Sequence, residues 1–70
     1  MPTQKLWVRG LKRDDEARVT ERLRALPGVF FAMLNCGAEC AEVDFEDDRV
    51  SLDQIRAAVR ECGYEAEIAG

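Results

Sequence analysis

The sequence contains no histidine and only one serine, Ser51, among its 70 residues. Histidine is the commonest general base and the commonest metal ligand in proteins, so its absence removes the usual route to acid–base catalysis. It also leaves Ser51 without an evident activating base. We therefore expect a protein that is not an enzyme, and any soft-metal chemistry has to come from sulfur.

Long apolar runs are also missing. No segment approaches the ~20 apolar residues of a transmembrane helix, and the N-terminus lacks the apolar stretch of a signal peptide. Ten Lys and Arg residues against fourteen Asp and Glu give a net charge of -4, which repels a phosphate backbone. These absences predict a cytoplasmic protein with no membrane insertion and no nucleic-acid partner. The 47% hydrophobic content is typical of one small globular domain, residues 1–70.

Hydrophobic periodicity predicts four strands and two helices. Alternating residues predict strands at 5–9, 41–46 and 64–69, and the last is expected to turn Ala66 and Ile68 toward the core. The apolar run at 29–34 is too short for a typical helix and lies between chain breakers, so it predicts the remaining strand. A first helix is predicted after Asp14, Asp15 and Glu16, whose acids are expected to cap and charge its first turn. A second begins at the capping box of Ser51 and Gln54 and ends before Gly63.

This order is that of the ferredoxin-like βαββαβ sandwich, an α+β fold. It implies a four-stranded antiparallel sheet of order 4-1-3-2 with two helices on one face. The charges favour that order, because it sets Lys5 and Arg9 of strand 1 between the acidic strands 3 and 4. The outward positions Trp7, Phe31 and Met33 are apolar instead. Either neighbouring side chains partly cover this patch, or it is a surface for a partner or for a second copy of the chain.

Four short motifs, taken in order, resemble the heavy-metal-associated domain of copper chaperones and metal-pumping ATPases. They are Val8-Arg9-Gly10-Leu11 (V-x-G-M in the family), residues 23–29 (L-x-x-L-P-G-V), residues 41–45 (A-x-V-x-F/Y) and residues 55–66 (I-x-x-A-I-x-x-x-G-Y-x-A). The resemblance runs from about Gln4 to Ala69 and implies that family's fold. The family's metal-binding C-x-x-C would fall at Arg13 and Glu16, and neither residue supplies a thiolate.

The three cysteines fall at one end of this predicted fold. Cys36 and Cys40 flank the tip of the hairpin between strands 2 and 3, and Cys62 ends the second helix. Our hypothesis is that the family's soft-metal site has moved to the hairpin, with Cys36 and Cys40 as primary thiolates and Cys62 as an optional third. Such a site suits Cu(I) or Hg(II), or Zn(II) or Cd(II) if water or Glu39 completes the shell.

Other roles for these cysteines stay open. Cys62 shares a helix face with Ile55 and Val59, as a core residue would. Cys36 and Cys40 could instead form a reversible disulfide across the hairpin, act as a redox pair, or have no role.

Two functional hypotheses follow. The first is a small metal-binding protein for trafficking or detoxification, which passes its ion by ligand exchange to a metal-transporting ATPase or another acceptor. The alternative is a metal-free protein-interaction module that acts through Trp7, Phe31 and Met33.

Overall fold

The structure, a computed structural model, describes residues 2–69. It is a four-stranded antiparallel sheet with two helices on one face. The elements are β1 (Thr3–Val8), a turn of 3-10 helix (Arg13–Asp15), α1 (Glu16–Arg24), β2 (Val29–Asn35), β3 (Cys40–Phe45), α2 (Leu52–Glu61) and β4 (Ala66–Ile68). The strand order is β2-β3-β1-β4, which confirms the predicted order. Within these residues, no helix is long and apolar enough to cross a membrane.

One apolar layer between the helices and the inner sheet face forms the core. Strand alternation turns Leu6 and Val43 to this face, and both are fully buried. The helical i, i+4 spacing of Val19 and Leu23 in α1 aligns these two residues on the same layer. Burying a side chain of this kind contributes roughly 1.5–3 kcal/mol, so this single layer is the main source of stability.

Opposite charges meet on the other face of the sheet, which we call the open face. Lys5 of β1 is in register with Glu42 of β3, and Arg9 lies 3.3 Å from the Glu67 carboxylate. Exposed ion pairs contribute about 1 kcal/mol or less each. Their arrangement nevertheless agrees with the expectation that β1 lies between two acidic strands.

The apolar patch on the open face is only partly covered. The Lys5 ammonium lies 5.0 Å from the centre of the Trp7 ring, within the range of a cation–π contact. Trp7 is 37% exposed, whereas Phe31 and Met33 of β2 are 42% and 51% exposed. The patch is therefore barest along β2.

The last strand is shorter than expected. Residues 63 and 64 still complete α2, because the N–H groups of Gly63 and Tyr64 donate to the carbonyls of Arg60 and Val59 at 2.9 and 3.3 Å. This is a Schellman ending, and Gly63 supplies its left-handed residue with φ of 94°. Ile68 lies opposite buried Leu6, on the inward side as expected, but at the edge of the sheet it is 51% exposed, and within β4 only Ala66 is buried.

The predicted capping box of α2 is confirmed and can be tested by mutation. Ser51 Oγ accepts from the Gln54 N–H at 3.1 Å, and Gln54 Oε1 accepts from the Ser51 N–H at 2.9 Å. We expect Ser51→Ala to lower the free energy of unfolding by about 0.5–2 kcal/mol, measured by urea denaturation. Ser51→Asp, which keeps an acceptor, should retain most of the stability. Equal stability of Ser51→Ala and the unmutated protein would contradict this assignment.

Candidate functional site

Three connecting segments meet at one end of the molecule, which we call the loop end. They are the first loop with its 3-10 turn (residues 9–15), the hairpin loop between β2 and β3 (residues 36–39), and the turn after α2 (residues 62–65). The family resemblance assigns the metal-binding loop to the first of these segments. The second and third contain or border all three cysteines.

The hairpin loop is shaped by Asn35 and Glu39. Asn35 Oδ1 accepts from the Ala38 N–H at 3.2 Å, which folds the loop back on the strand end. Glu39 has φ of 51°, a left-handed conformation that non-glycine residues adopt rarely. Its carbonyl accepts from the Val8 N–H at 2.7 Å, and its carboxylate accepts from the Gly10 N–H at 2.5 Å. Glu39 thereby ties the hairpin to the first loop.

Glu16 makes the second tie between these segments. It begins α1, and its Oε2 accepts from the backbone N–H of Cys36 at 2.8 Å. That hydrogen bond holds the pKa of the Glu16 carboxyl below its usual range. The neighbouring Glu16 carboxylate, together with partial burial, raises the pKa of the Cys36 thiol. Cys36 therefore lies against Glu16, where the family resemblance expects a metal-binding cysteine.

Asp15 and Tyr64 tie the first loop to the turn after α2. The Schellman ending of α2 directs Tyr64 toward the first loop, where its hydroxyl donates to Asp15 Oδ2 at 2.5 Å. The hydroxyl also accepts from the Lys12 N–H at 3.2 Å, and Arg18 lies 3.2 Å from Asp15 Oδ1. The hydrogen bonds from Tyr64 and Arg18 lower the pKa of the Asp15 carboxyl, and the bond to Asp15 raises the pKa of Tyr64.

The acids before α1 differ from expectation. Asp15 occupies the N-cap position of α1, but its side chain makes no capping hydrogen bond to the helix. Its carboxylate is bound instead by Tyr64 and Arg18, and that of Glu16 by Cys36. Residue types alone could not show this, because Asp is one of the preferred N-cap residues and a capping role is the natural expectation at a helix start. The hydrogen-bond partners of Asp15 and Glu16 become evident only from the contacts among the three segments of the loop end.

The three cysteines are free thiols, each partly buried, and they lie on different sides of the loop end. Cys36 packs against the core on the helix side. Cys40 pairs with both Trp7 and Asn35, which are exposed on the open face, so its side chain lies on that face. Cys62 packs against the core at the end of α2, and its carbonyl accepts from Arg18 at 3.1 Å.

The three predicted cysteine ligands therefore lie at one end of the molecule, but their side chains do not converge on a common metal site. Among residues 2–69, no three His, Cys, Asp or Glu side chains are grouped so that they could hold a metal ion. Cys36 and Cys40 leave the hairpin on opposite faces, whereas a cross-strand disulfide needs side chains that face each other. The contact of Cys62 with the core agrees with the core-packing interpretation of that residue.

Comparison with known proteins shows the family of this chain. The heavy-metal-associated domain profile matches residues 16–65 and thus begins after the first loop. The copper chaperone CopZ of Staphylococcus saprophyticus is 32% identical over 68 residues, which span 96% of this chain and 100% of that protein. The two chains therefore align over nearly their full lengths.

Several solved structures have the same fold as this chain. A copper binding domain from HMA7, a P-type ATPase, has a TM-score of 0.93 and 27% identity, covering 100% of this chain and 96% of that one. The apo form of the copper chaperone of Enterococcus hirae has a TM-score of 0.86 and 30% identity, covering 94% and 98%. Oxidized MerP from Ralstonia metallidurans CH34 shares the fold with a TM-score of 0.92 at 21% identity, covering 99% and 97%.

Removing the tyrosine hydroxyl tests the tie between Tyr64 and Asp15. In Tyr64→Phe the pKa of Asp15 should rise toward its ordinary value of 3.8, because the largest cause of its lowering is lost. The measurement is an NMR titration of the carboxyl carbons, with Glu16 as the internal control because its pKa depends mainly on Cys36. An unchanged Asp15 titration would show that the hydrogen bond is absent in solution.

Tyr64→Phe should also change how the stability of the protein depends on pH. A lowered carboxyl pKa stabilises the folded state above the unfolded pKa, and this stabilisation is lost as pH falls through the folded pKa. The stability difference between the unmutated protein and Tyr64→Phe should therefore be largest near neutral pH and shrink below about pH 4.

Proposed function

The chain belongs to the heavy-metal-associated domain family, and on that premise we propose that it binds a soft metal ion as cargo through thiolates at the loop end. The observation that carries this proposal is the contact between Cys36 and Glu16. The family resemblance assigns Glu16 to the position of the second metal-binding cysteine, and the Cys36 N–H donates to its carboxylate at 2.8 Å. A thiol from the hairpin thus lies beside the position where the family's own thiolate is missing.

The proposed ligands are Cys36 and Cys40 as primary thiolates, with Cys62 as an optional third. Cu(I) and Hg(II) are soft ions that accept as few as two thiolates, so two sulfurs suffice for them. Zn(II) or Cd(II) would need further donors, such as water or Glu39. The absence of histidine leaves sulfur as the only soft donor type among the usual ligands, which favours the first two ions.

Binding through both hairpin cysteines requires a local rearrangement. Only the loop residues 37–39 separate them, and all three of these residues are exposed. Cys40 is partly exposed on the open face, and a change of side-chain rotamer cannot move its thiol through the sheet, so the end of the hairpin has to open before Cys40 can approach Cys36. The cost falls on the pairing of Cys40 with Asn35 and Trp7, and on the hydrogen bonds that Glu39 makes to β1 and the first loop. The contact of Cys36 with Glu16 would also have to change.

An ion held in this way suits transfer. It would sit at the rim of the domain, where the thiolates of an acceptor can replace those of this chain one at a time. We propose a metal-transporting ATPase or a similar trafficking protein as that acceptor, supported by the similarity to a copper chaperone and to a domain of a P-type ATPase. The exchange makes and breaks metal–sulfur bonds only, so no catalytic residue is needed, and a cytoplasmic location fits this role.

A metal-free interaction module is the second candidate. It is favoured by the ties that Asp15, Glu16 and Glu39 make around the first loop, which hold the loop end together through hydrogen bonds alone. In this case the exposed side chains of Trp7, Phe31 and Met33 on the open face would contact the partner.

Metal binding by the reduced protein separates the two candidates. We expect native mass spectrometry to show one Cu(I) or Hg(II) ion per chain, held through a challenge with a weak competing thiol. Cys36→Ser should lose the ion, because Cys36 belongs to every proposed ligand pair. Cys40→Ser should weaken binding strongly, and the effect of Cys62→Ser decides whether the third thiol takes part.

The control is the chain with all three cysteines replaced by serine, which reports non-specific binding by the carboxylates. A circular dichroism spectrum of each variant confirms that the fold is retained. If the reduced unmutated protein holds no ion better than this control, metal binding is refuted and the interaction module becomes the leading function.

A further inference from the structure

The two edges of the sheet differ in how they are protected from pairing with another strand. The β4 edge is three residues long and carries the acidic Glu67 at its centre. Short length and charge are the usual protections of an exposed edge. The β2 edge is seven residues long, Val29–Asn35, and none of its residues is charged in a chain whose residues are 34% charged. The β2 edge therefore lacks both protections.

The backbone of β2 offers hydrogen-bonding groups at this edge. The Arg24 guanidinium reaches the Ala32 carbonyl at 3.4 Å from α1, so this carbonyl points away from β3. In an antiparallel strand the N–H and the C=O of one residue point to the same side. The Ala32 N–H therefore also points outward, and Leu34, two residues further along, repeats this orientation.

The side chains next to Ala32 are self-complementary. Phe31 and Met33 lie on the open face, on either side of Ala32, and both are largely exposed. If two β2 strands pair antiparallel about an axis through Ala32, Phe31 of one copy lies opposite Met33 of the other. A thioether against an aromatic ring is a favourable contact, so the pairing covers the barest part of the apolar patch.

We propose that β2 is a self-association surface, and that two copies of this chain pair through it into one continuous eight-stranded sheet. The interface is isologous, because the same strand is used by both copies. Growth stops at two copies, since the only edges left are the short, acidic β4 strands. The hairpin loops lie at opposite ends of the paired strands, so both loop ends stay accessible and the dimer does not depend on the proposed metal binding.

The apolar area that β2 pairing can cover determines how stable the dimer is. Phe30, Phe31 and Met33 are about half exposed, and side chains of this size present roughly 200 Å² each. Pairing therefore covers roughly 300 Å² of side chain per copy and roughly 600 Å² in all, well below the ~1,200 Å² of stable interfaces. The 3.4 Å hydrogen bond from Arg24 to the Ala32 carbonyl must also break when the strands pair. The register shift next to Phe30 limits the length of β2 that can pair. The dimer is accordingly weak and forms at high protein concentration.

Sedimentation equilibrium of the reduced protein, from about 10 µM to about 1 mM, tests the proposal in the range expected for a small interface. The weight-average mass should rise from one copy toward two. Amide hydrogen exchange at Ala32 and Leu34 should slow as concentration rises. Exchange at Ile68, whose N–H points outward from the β4 edge, should not change.

The double variant Phe31→Lys/Met33→Lys is designed to separate the copies without unfolding them. Within one chain the introduced lysines face Asp44 and Glu42 of β3, which favours the monomer fold. Across the dimer axis they face each other, so the dissociation constant should increase at least about tenfold. Trp7→Lys is the control, because it puts a lysine on the same open face, beside Glu67 and away from β2.

A mass that stays at one copy up to about 1 mM would overturn the proposal. So would growth beyond two copies, or association that the double variant leaves intact. Loss of association in Trp7→Lys to the same degree would also overturn it, since it would assign the contact to the open face instead of the β2 edge.

Discussion

A chain of 70 residues can cover only one face of its sheet, and much of the structure follows from that constraint. Side chains such as Leu6, Val43 and Leu23 fill the single layer under the helices. Every alternate strand position is left in solvent, where charged residues pair across β1, β3 and β4 and apolar residues gather toward β2. With one core devoted to stability, binding chemistry is left to the loop end and the open face.

At the loop end, carboxylates of the first loop and of the start of α1 bind groups of the protein itself. Carboxylates of Asp15 and Glu16 accept hydrogen bonds from Tyr64 and Cys36, and Glu39 reaches back to Gly10. These bonds join the first loop to the hairpin and to the turn after α2. The resulting arrangement holds the Cys36 thiol against Glu16 in its protonated form, because the neighbouring carboxylate raises the pKa of the thiol. A bound metal ion would have to displace that proton, so its capture by Cys36 would be coupled to proton release.

The fold was predictable because local signals agreed with one another. The alternation around Val43, the capping box at Ser51 and Gln54, and the glycine after α2 each favour the same element at the same place. For the candidate site, only its general location at the loop end was predictable, and the orientation of its side chains was not. Cys36 and Cys40 flank one loop, but their faces depend on the pairing of Asn35 with Cys40, and residue spacing does not specify that register. The partners of Asp15 and Glu16 likewise depend on long-range contacts, which local periodicity does not encode.

The central claim is that Cys36 at the hairpin carries the soft-metal site in place of the first loop. Its most direct test is an NMR titration of the reduced, isotope-labelled protein with Hg(II), following backbone amides and cysteine β-carbons. The account predicts that the signals of Cys36, Cys40 and Glu16 move together and stop changing at one ion per chain. Saturation without any change at Cys36 would contradict it. So would changes confined to Glu46, Asp47 and Asp48, the acidic residues that connect β3 to α2.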